Sequence, residues 1–497
     1  MSRNDHDPVF LLNPLVKTVH ADTETPVSVY LKLQDAYSCL LESVEGEERL
    51  ARFSYIAIDP VAILRGSVNG DISLDIRDER FRPLENLVRP QDGLRKVIDS
   101  CLRAFGTSQQ DDNGPGSSPM ITSGAFGYFS YDTMHLVERI PFPEKPDPAD
   151  LPDTCLLFCD KLVVFDNVKR KVFIIVNYLD DADRARAERS IGDIRAKMFR
   201  PLGREAIDLM PERPEEVVSN TRREDYLEKV RIAKEHIKAG DIFQVQVSQR
   251  LMRRLNTRPF DVYRMLRTIN PSPYLYYFDM DGFDIVGSSP ELLVRVSARS
   301  EGRRIVDTRP IAGTRPRGKT VEEDRRIEAD LLGDEKELAE HLMLIDLSRN
   351  DIGRIAKVGT VETNEMMIIE RYSHVMHIVS NVRGELRDEY SPMDAFWACF
   401  PAGTLTGAPK VRAMEIIYEL EEEKRGLYGG AVGFIDFRGE LETAIAIRTM
   451  VVRDGTIYFQ AAGGIVDDSV PLNEFEETMN KMRAGLRTVE SLEHFED

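Results

Sequence analysis

The chain has 497 residues, 42% of them hydrophobic, and a formal net charge of -19 at pH 7, enough sequence for a large core and more than one domain. So acidic a surface excludes nucleic acid and anionic membrane as main partners, and any anionic substrate must be met by a few placed cations. No apolar run approaches the roughly 20 residues of a spanning helix, and the opening "MSRNDHDPVFLLNP" lacks the parts of a signal peptide, so a cytoplasmic protein is expected. Cys39, Cys101, Cys155, Cys159 and Cys399 follow neither a metal-ligand nor a disulfide spacing and are read as structural.

The first third alternates strand-like runs, such as "TPVSVYLKL" and "KVFIIVNYL", with turn-rich stretches, of which residues 106–119 are a Gly, Ser and Pro-rich loop. Residues 182–197 read as a charged helix, and "PLGREAIDLMPERPEEVVSN" after them reads as a linker. A boundary there divides the chain into domains of residues 1–215 and 216–497. The second part opens with the amphipathic helix "RREDYLEKVRIAKEHIKAG", in which Tyr226, Val230, Ala233 and Ile237 repeat at helical spacing before Gly240. The strand "DIFQVQVSQR" follows, with Phe243, Val245 and Val247 on one face and Gln244, Gln246 and Ser248 on the other. Further strand-like runs, "YLYYFDM", "ELLVRVS", "GLYGGAVGFIDF", "LETAIAIRTMVV" and "TIYFQAAGGIV", are interleaved with helical stretches around residues 328–346 and 392–400. Strands and helices without regular alternation make this an α+β chain, and no repeat of fixed period is present.

Two stretches place acids at helical spacing. In "KELAEHLMLIDLSRND", Leu338, Leu342 and Ile345 form a stripe and Met343 and Leu344 extend it, so the helix is expected to be largely buried. A carboxylate such as Glu340 in that setting needs a cation, a hydrogen-bond network or a raised pKa. In the terminal helix, Leu472, Phe475, Met479, Met482, Leu486 and Val489 form the stripe and Glu474, Glu477 and Lys481 fall beside it. On pattern alone that favours a solvated flank over half of a cation site. The entry "AAGGIVDDSVP" brings Gly463 and Gly464, whose exposed amides suit an anion. "GSSPELL" with Glu291, "RPIAGTRPRG" with Gly313 and Thr314, "PAGTLTGAPK" with Thr404 and Lys410, and "RYSHVMHIVS" with His374 and His377 are each weak signals alone. There is no Walker-type loop, dinucleotide fingerprint, HExxH or GxSxG.

Taken in order, "GDIFQVQVSQR", "GSSPELL", "RPIAGTRPRG", "EHLMLIDLSRNDIGR", "YSHVMHIVS", "FPAGTLTGAPKVRAMEII", "YGGAVGFID", "AIAIRTM" and "AAGGIVDDSVPLNEFEETMNK" resemble the chorismate-utilising enzymes and, within them, component I of anthranilate synthase, the aminase subunit. The match runs over roughly residues 223 to 485, with a looser one through "LLESVEGEERLARFSYIAIDP". The resemblance implies an α+β fold of antiparallel sheets packed as a sandwich with surrounding helices. It implies a lyase that turns chorismate and ammonia into anthranilate and pyruvate through aminodeoxyisochorismate, the first step of tryptophan biosynthesis.

Carried over residue by residue, it implies Glu340 and Glu477 as direct Mg²⁺ ligands with Glu337 and Glu474 at one remove. Tyr428 and Arg448 would grip the enolpyruvyl carboxylate, helped by Gly463, Gly464 and Lys481, with Gly313 and Thr314 also binding substrate. Glu291 would protonate the leaving C4 hydroxyl, and His377 and Thr404 would serve the later loss of the C2 proton and pyruvate. Related isochorismate synthases carry a lysine base where this chain has Gln244, and many aminodeoxychorismate synthases carry a nucleophilic lysine where it has Ala312. Both absences leave ammonia as the nucleophile at C2. None of the five cysteines lies in a Gly-x-Cys-x-Gly elbow, so a separate glutamine amidotransferase subunit, component II, is implied as the ammonia source. The "LLES" stretch resembles the family's tryptophan feedback element, which implies Leu41, Glu42, Ser43 and Arg52 with Asn270, Pro273 and Tyr274 as inhibitor contacts. The alternatives are an aminodeoxychorismate synthase component I of the folate pathway and a non-catalytic tryptophan-binding regulator.

Overall fold

The computed structural model describes residues 8–43, 52–89, 91–108, 121–141, 144–203, 215–298, 302–372 and 375–493. Most of the loop at 106–119, most of the linker around the expected domain boundary, and His374 lie outside the described residues.

Among the described residues, strands assemble into one sheet of thirteen and another of eleven. Pairing is antiparallel except where Phe10 to Leu12 meets Phe105 to Thr107. The strand Tyr274–Asp279 shows why. Tyr276 and Phe278 point into a core shared with Phe126, Tyr128 and Phe434 of the other sheet. Leu275 and Tyr277 point the opposite way and pack with Tyr30, Phe260 and Tyr263 of the helices outside. Side chains alternate across a strand, so a strand covered on both faces reads as an unbroken apolar run. The result is the two-sheet α+β sandwich, with helices on both outer faces.

Both sheets draw strands from either side of residue 215. Ser38–Glu42 pairs with Tyr274–Asp279 in one, and Gly124–Phe129 pairs with Ala431–Asp436 in the other. "PVSVYLKL" is not a strand but the helix Pro26–Leu33. Pro26 occupies its first turn, and Thr25 and Ser28 form a reciprocal capping box, so end chemistry overrides the β-branched content. The strand of that region is Phe10–Val19.

Four other expectations change. Phe243 is 73% exposed, because the strand Gln244–Arg254 begins only after it and the alternation does not include it. The helical stretch around 328–346 is two helices, Val321–Leu332 and Glu335–Gly353, divided at Gly333. The second helix is buried on one face only, through His341, Leu344, Ile345 and Ile352, and Leu342 is 45% exposed. It covers the edge of the sheet rather than entering it, and His341 Nε2 meets Ser380 Oγ of the underlying strand at 2.7 Å. In the terminal helix Pro471–Glu493, Met482 and Val489 are buried while Leu472 is exposed, and Glu474 turns inward.

Candidate active site

A cleft of about 740 Å³, partly open to solvent, is lined by Gln244, Gln246, Glu291, Ala312, Glu340, Thr404, Tyr428, Arg448, Gln460 and Lys481 among others. Sheet topology creates it. Along Thr456–Ile465, Val245 to Arg254 pair on one side throughout, but Thr449–Arg453 pairs on the other side only as far as Phe459. From Gln460 onward one backbone edge therefore has no partner strand, and the cleft opens along it. The row of glutamines faces this space and not bulk water.

Glu291 follows the strand Phe283–Ser289 and is 6% exposed. Burial pushes its carboxyl up to about 8, against the opposing hydrogen bond from Thr404 and one from the Ile311 backbone. The Thr404 hydroxyl donates to Glu291 Oε1 at 3.0 Å, so Thr404 is fastened to the acid and not to His377. At neutral pH this carboxyl carries its proton, the state in which a leaving group can receive one.

Across the cleft, the pairing of Ile311–Pro316 with Val375–Glu385 contains a bulge: Ala312 pairs with Ile378 and Thr314 with His377, leaving Gly313 unpaired. Gly313 has a φ of +64°, a conformation that favours glycine. Its carbonyl accepts from His377 Nδ1 at 3.0 Å, and Thr314 Oγ1 lies 3.1 Å from the same nitrogen. That bond leaves Nε2 as the basic nitrogen, and burial lowers the ring's pKa, keeping it neutral. Ala312 reaches the cleft itself, whereas Gly313, Thr314 and His377 stand directly behind it.

The four glutamates come from two helices. Burial raises the carboxyl of Glu340, and Glu337 and Glu477 push the same way against a hydrogen bond from Gln244 and the charge of Lys481. Gln244 Nε2 donates to Glu340 Oε1 at 2.9 Å. Glu474 is also raised, by burial first and then by Glu477, and its Oε2 has no hydrogen-bond partner. Glu477 is exposed and pairs with Lys481 Nζ at 2.6 Å, while Glu337 pairs with Arg315 at 3.2 Å. Among the described residues no three histidine, cysteine, aspartate or glutamate side chains are placed so that together they could hold a metal ion. Carboxylate oxygens are the hard donors that suit Mg²⁺, and Glu340 and Glu477, from different helices, are close enough for the charge of Glu477 to raise Glu340.

The cationic side is built with strain. Arg448 has a φ of +51°, a conformation that costs about 1–3 kcal/mol and persists where surrounding structure demands it. Its side chain extends into the cleft and Nη1 donates to Lys481 O at 3.1 Å. Lys481 Nζ in turn donates to Ala462 O at 3.0 Å. Gly464 leaves room for the glutamines: a Cβ there would lie 2.9 Å from both Gln244 Nε2 and Gln246 Nε2. Gly463 stands against Glu474, with Oε2 3.2 Å from where its Cβ would be. Gln246 and Gln460 also line the cleft; the alternation of "FQVQVS" set the first beside Gln244 on a face that read more readily as turned to water, and nothing in the local sequence singled out the second. Lys410 of the "PAGTLTGAPK" turn is instead buried in an ion pair with Asp351 at 2.7 Å.

A second cavity, sharing no lining residue with the first, holds Leu41, Glu42, Ser43, Pro273 and Tyr274 together with Phe53, Tyr55, Tyr276, Phe434, Arg295 and Glu442. Ser43 Oγ is buried without a partner. Glu42 accepts from Tyr263 at 2.6 Å and pairs with Arg267 at 3.0 Å. Arg52 and Asn270 do not line the cavity: Arg52 pairs with Asp166 at 2.9 Å, and Asn270 donates to Ser288 Oγ at 3.2 Å. The aromatic walls Tyr55 and Phe434 come from strands far apart in sequence and carried no signal of their own.

A family model described as chorismate binding enzyme matches residues 68–487. The chain is similar to anthranilate synthase component 1 of Acetivibrio thermocellus, at 45% identity over 96% of this chain and 95% of that one. It is similar to the protein of the same name from Pseudomonas aeruginosa, at 46% identity over 96% and 95%. Among solved structures it resembles anthranilate synthase component I from Streptococcus pneumoniae, with a TM-score of 0.74, 36% identity, and coverage of 94% of this chain and 98% of that one. The menaquinone-specific isochorismate synthase of Escherichia coli, at 16% identity and a TM-score of 0.67 over 97% and 96%, shares the fold.

Proposed function

The chain belongs to the chorismate-binding enzymes and, within them, to the component I subunits of anthranilate synthase; from that premise we propose that it makes anthranilate and pyruvate from chorismate and ammonia by way of aminodeoxyisochorismate. The observation that carries the reading is Glu291, a buried carboxyl with its pKa near 8, in one cleft with Arg448 and Lys481. Those cations bind the carboxylates of a dianionic substrate despite the acidic bulk, and Tyr428 and the strand edge after Gln460 orient it.

As ammonia adds at C2, the C4–O bond breaks and Glu291 delivers a proton to the departing hydroxyl. His377, neutral and basic at Nε2 but set behind Ala312, would take the C2 proton by way of a water as the C3–O bond breaks and the enolpyruvyl group leaves as pyruvate, and Thr404 holds Glu291 in place throughout. Gln244 cannot activate water, because its amide is neutral and its nitrogen is engaged by Glu340. Glu340 and Glu477 would hold Mg²⁺, with Glu337 and Glu474 nearby; the bound ion would supply a positive charge for the ring carboxylate.

Feedback by tryptophan is part of the proposal and rests on the second cavity. Aromatic walls suit an indole and the unpartnered Ser43 hydroxyl can bond a ligand's amino group, while Glu42, also on the lining, is held by Tyr263 and Arg267. Tyr274 is the ladder partner of Ser289, two residues before Glu291, so a ligand that shifts this wall acts on the strand leading to the acid. Ser43→Ala should raise the tryptophan concentration for half inhibition roughly ten- to a hundred-fold, as expected for a lost hydrogen bond to a charged group of about 1.5–3 kcal/mol, with uninhibited turnover unchanged. Unaltered inhibition would remove Ser43 from the site.

The deciding assay follows anthranilate fluorescence with the purified chain, chorismate and Mg²⁺. Ammonium salts should support turnover, and glutamine should do so only when an amidotransferase subunit is added. Accumulation of 4-amino-4-deoxychorismate would instead assign the folate-pathway reaction, and tryptophan binding without turnover would assign a regulator.

A further inference from the structure

Behind the cleft, on the far side of Tyr428, the Arg425 side chain is buried and lines a separate small cavity rather than the cleft. Its guanidinium is nearly saturated. Nε and Nη2 donate to the two carboxylate oxygens of Glu421 at 2.9 and 2.7 Å, Nη2 also donates to Gln246 O at 2.8 Å, and Nη1 donates to Leu405 O at 2.8 Å. Its carbon lies 4.6 Å from the ring centre of Tyr131 and 5.9 Å from that of Tyr428. Glu421 Oε1 additionally accepts from the backbone N–H of Ser248 at 2.7 Å.

These partners belong to three segments that border the cleft, two of them also joined by the Gln246 N–H donating to Thr406 O at 2.9 Å. Gln246 and Ser248 lie on Gln244–Arg254, Leu405 directly follows the Thr404 that holds Glu291, and Tyr428 precedes Ala431–Asp436. Gln246, Leu405 and Tyr428 all line the cleft. A planar fork of fixed donors can bind a carboxylate and two carbonyls while lying against two rings; an ammonium on a flexible stem cannot.

We propose that Arg425 is a positioning residue for the substrate cleft, clamping the Gln246 strand, the Thr404–Leu405 turn and the Tyr428 ring into one arrangement without touching substrate. This rests on the reading of the cleft as the chorismate site. A misplacement of about 1 Å can cost on the order of a hundred-fold in rate, so the clamp acts on kcat/KM for chorismate rather than on the fold alone.

The test separates those two roles. In Arg425→Met combined with Glu421→Gln, no buried charge is left unpaired and the amide oxygen still accepts from Ser248. The full chain should then melt near the wild-type Tm while kcat/KM for chorismate falls ten- to a hundred-fold and the KM for ammonium stays within about two-fold. Arg425→Lys, which keeps the charge and loses the fork, should show the same split. Either variant folded as stably as wild type with kcat/KM within two-fold of it would overturn the clamp. So would failure of both to fold, because Arg425 would then be a requirement of the core and not of the cleft. Wild-type chain that turns over no chorismate would instead overturn the functional reading, and the clamp's purpose with it.

Discussion

Glu291→Gln should lower kcat for anthranilate formation about a hundred- to ten-thousand-fold, the range for loss of a positioned general acid, while the chain folds normally. Glutamine matches glutamate in shape and its amide oxygen still accepts from the Thr404 hydroxyl, so the 3.0 Å contact survives; only the transferable proton is gone. The pH profile supplies an independent check. Activity requires the protonated carboxyl, so wild-type kcat should be sustained below the folded pKa of about 8 and decline as pH rises through it. Stability moves in the same direction. The carboxyl titrates from 4.5 in the free chain to about 8 when folded, so between those values the folded protein binds the extra proton and loses stability as pH increases. The glutamine variant lacks that slope and should be at least as stable as wild type at pH 8. A variant that kept turnover within ten-fold, or an unchanged profile across pH 7 to 9 (about the range that titrates this group), would remove Glu291 from the acid's role.

Glu340→Gln and Glu477→Gln are each expected to lower kcat/KM about a hundred-fold or more at fixed Mg²⁺, since an ion's charge is worth several kcal/mol and each 1.4 kcal/mol is a factor of ten. The first substitution is nearly isosteric and preserves an acceptor for Gln244 Nε2, so its effect reports charge rather than packing. Both should weaken Mg²⁺ binding measured by calorimetry in the absence of substrate, a readout that does not depend on turnover. Glu476→Gln serves as the control: it is exposed on the same helix, beside the cluster but not in it, and should change neither value. Chelator should abolish wild-type activity and added Mg²⁺ restore it. Normal metal binding by both cluster variants would return Glu477 to the solvated flank that its spacing also allowed.

Much of this was legible in the order of residues. The helix Arg223–Lys238, the strand Gln244–Arg254 and the terminal helix follow from apolar period and end residues, which are local properties. Motifs in a fixed order identified the family, and the comparisons agree with it. The failures were also physical. "PVSVYLKL" is written in strand formers but capped as a helix, and the helix bearing Glu340 is less buried than its composition suggests because it covers a sheet edge.

What sequence determined by itself was the chemical inventory: acids at helical spacing, glutamine where relatives carry lysine, and glycine where the backbone needs a positive φ. Which of those groups face one another was decided by the sheets. Period places a side chain on a face of its own element, but burial and charge depend on what packs against that face. Glu474 and Glu477 have the same helical address and opposite environments, one buried without a partner for Oε2 and one exposed and paired. The shift of Glu291 to about 8 arises from burial by the assembled sheets, against the hydrogen bond from distant Thr404, and the role of Arg425 became visible only when the Gln246 strand and the Leu405 turn met on its guanidinium.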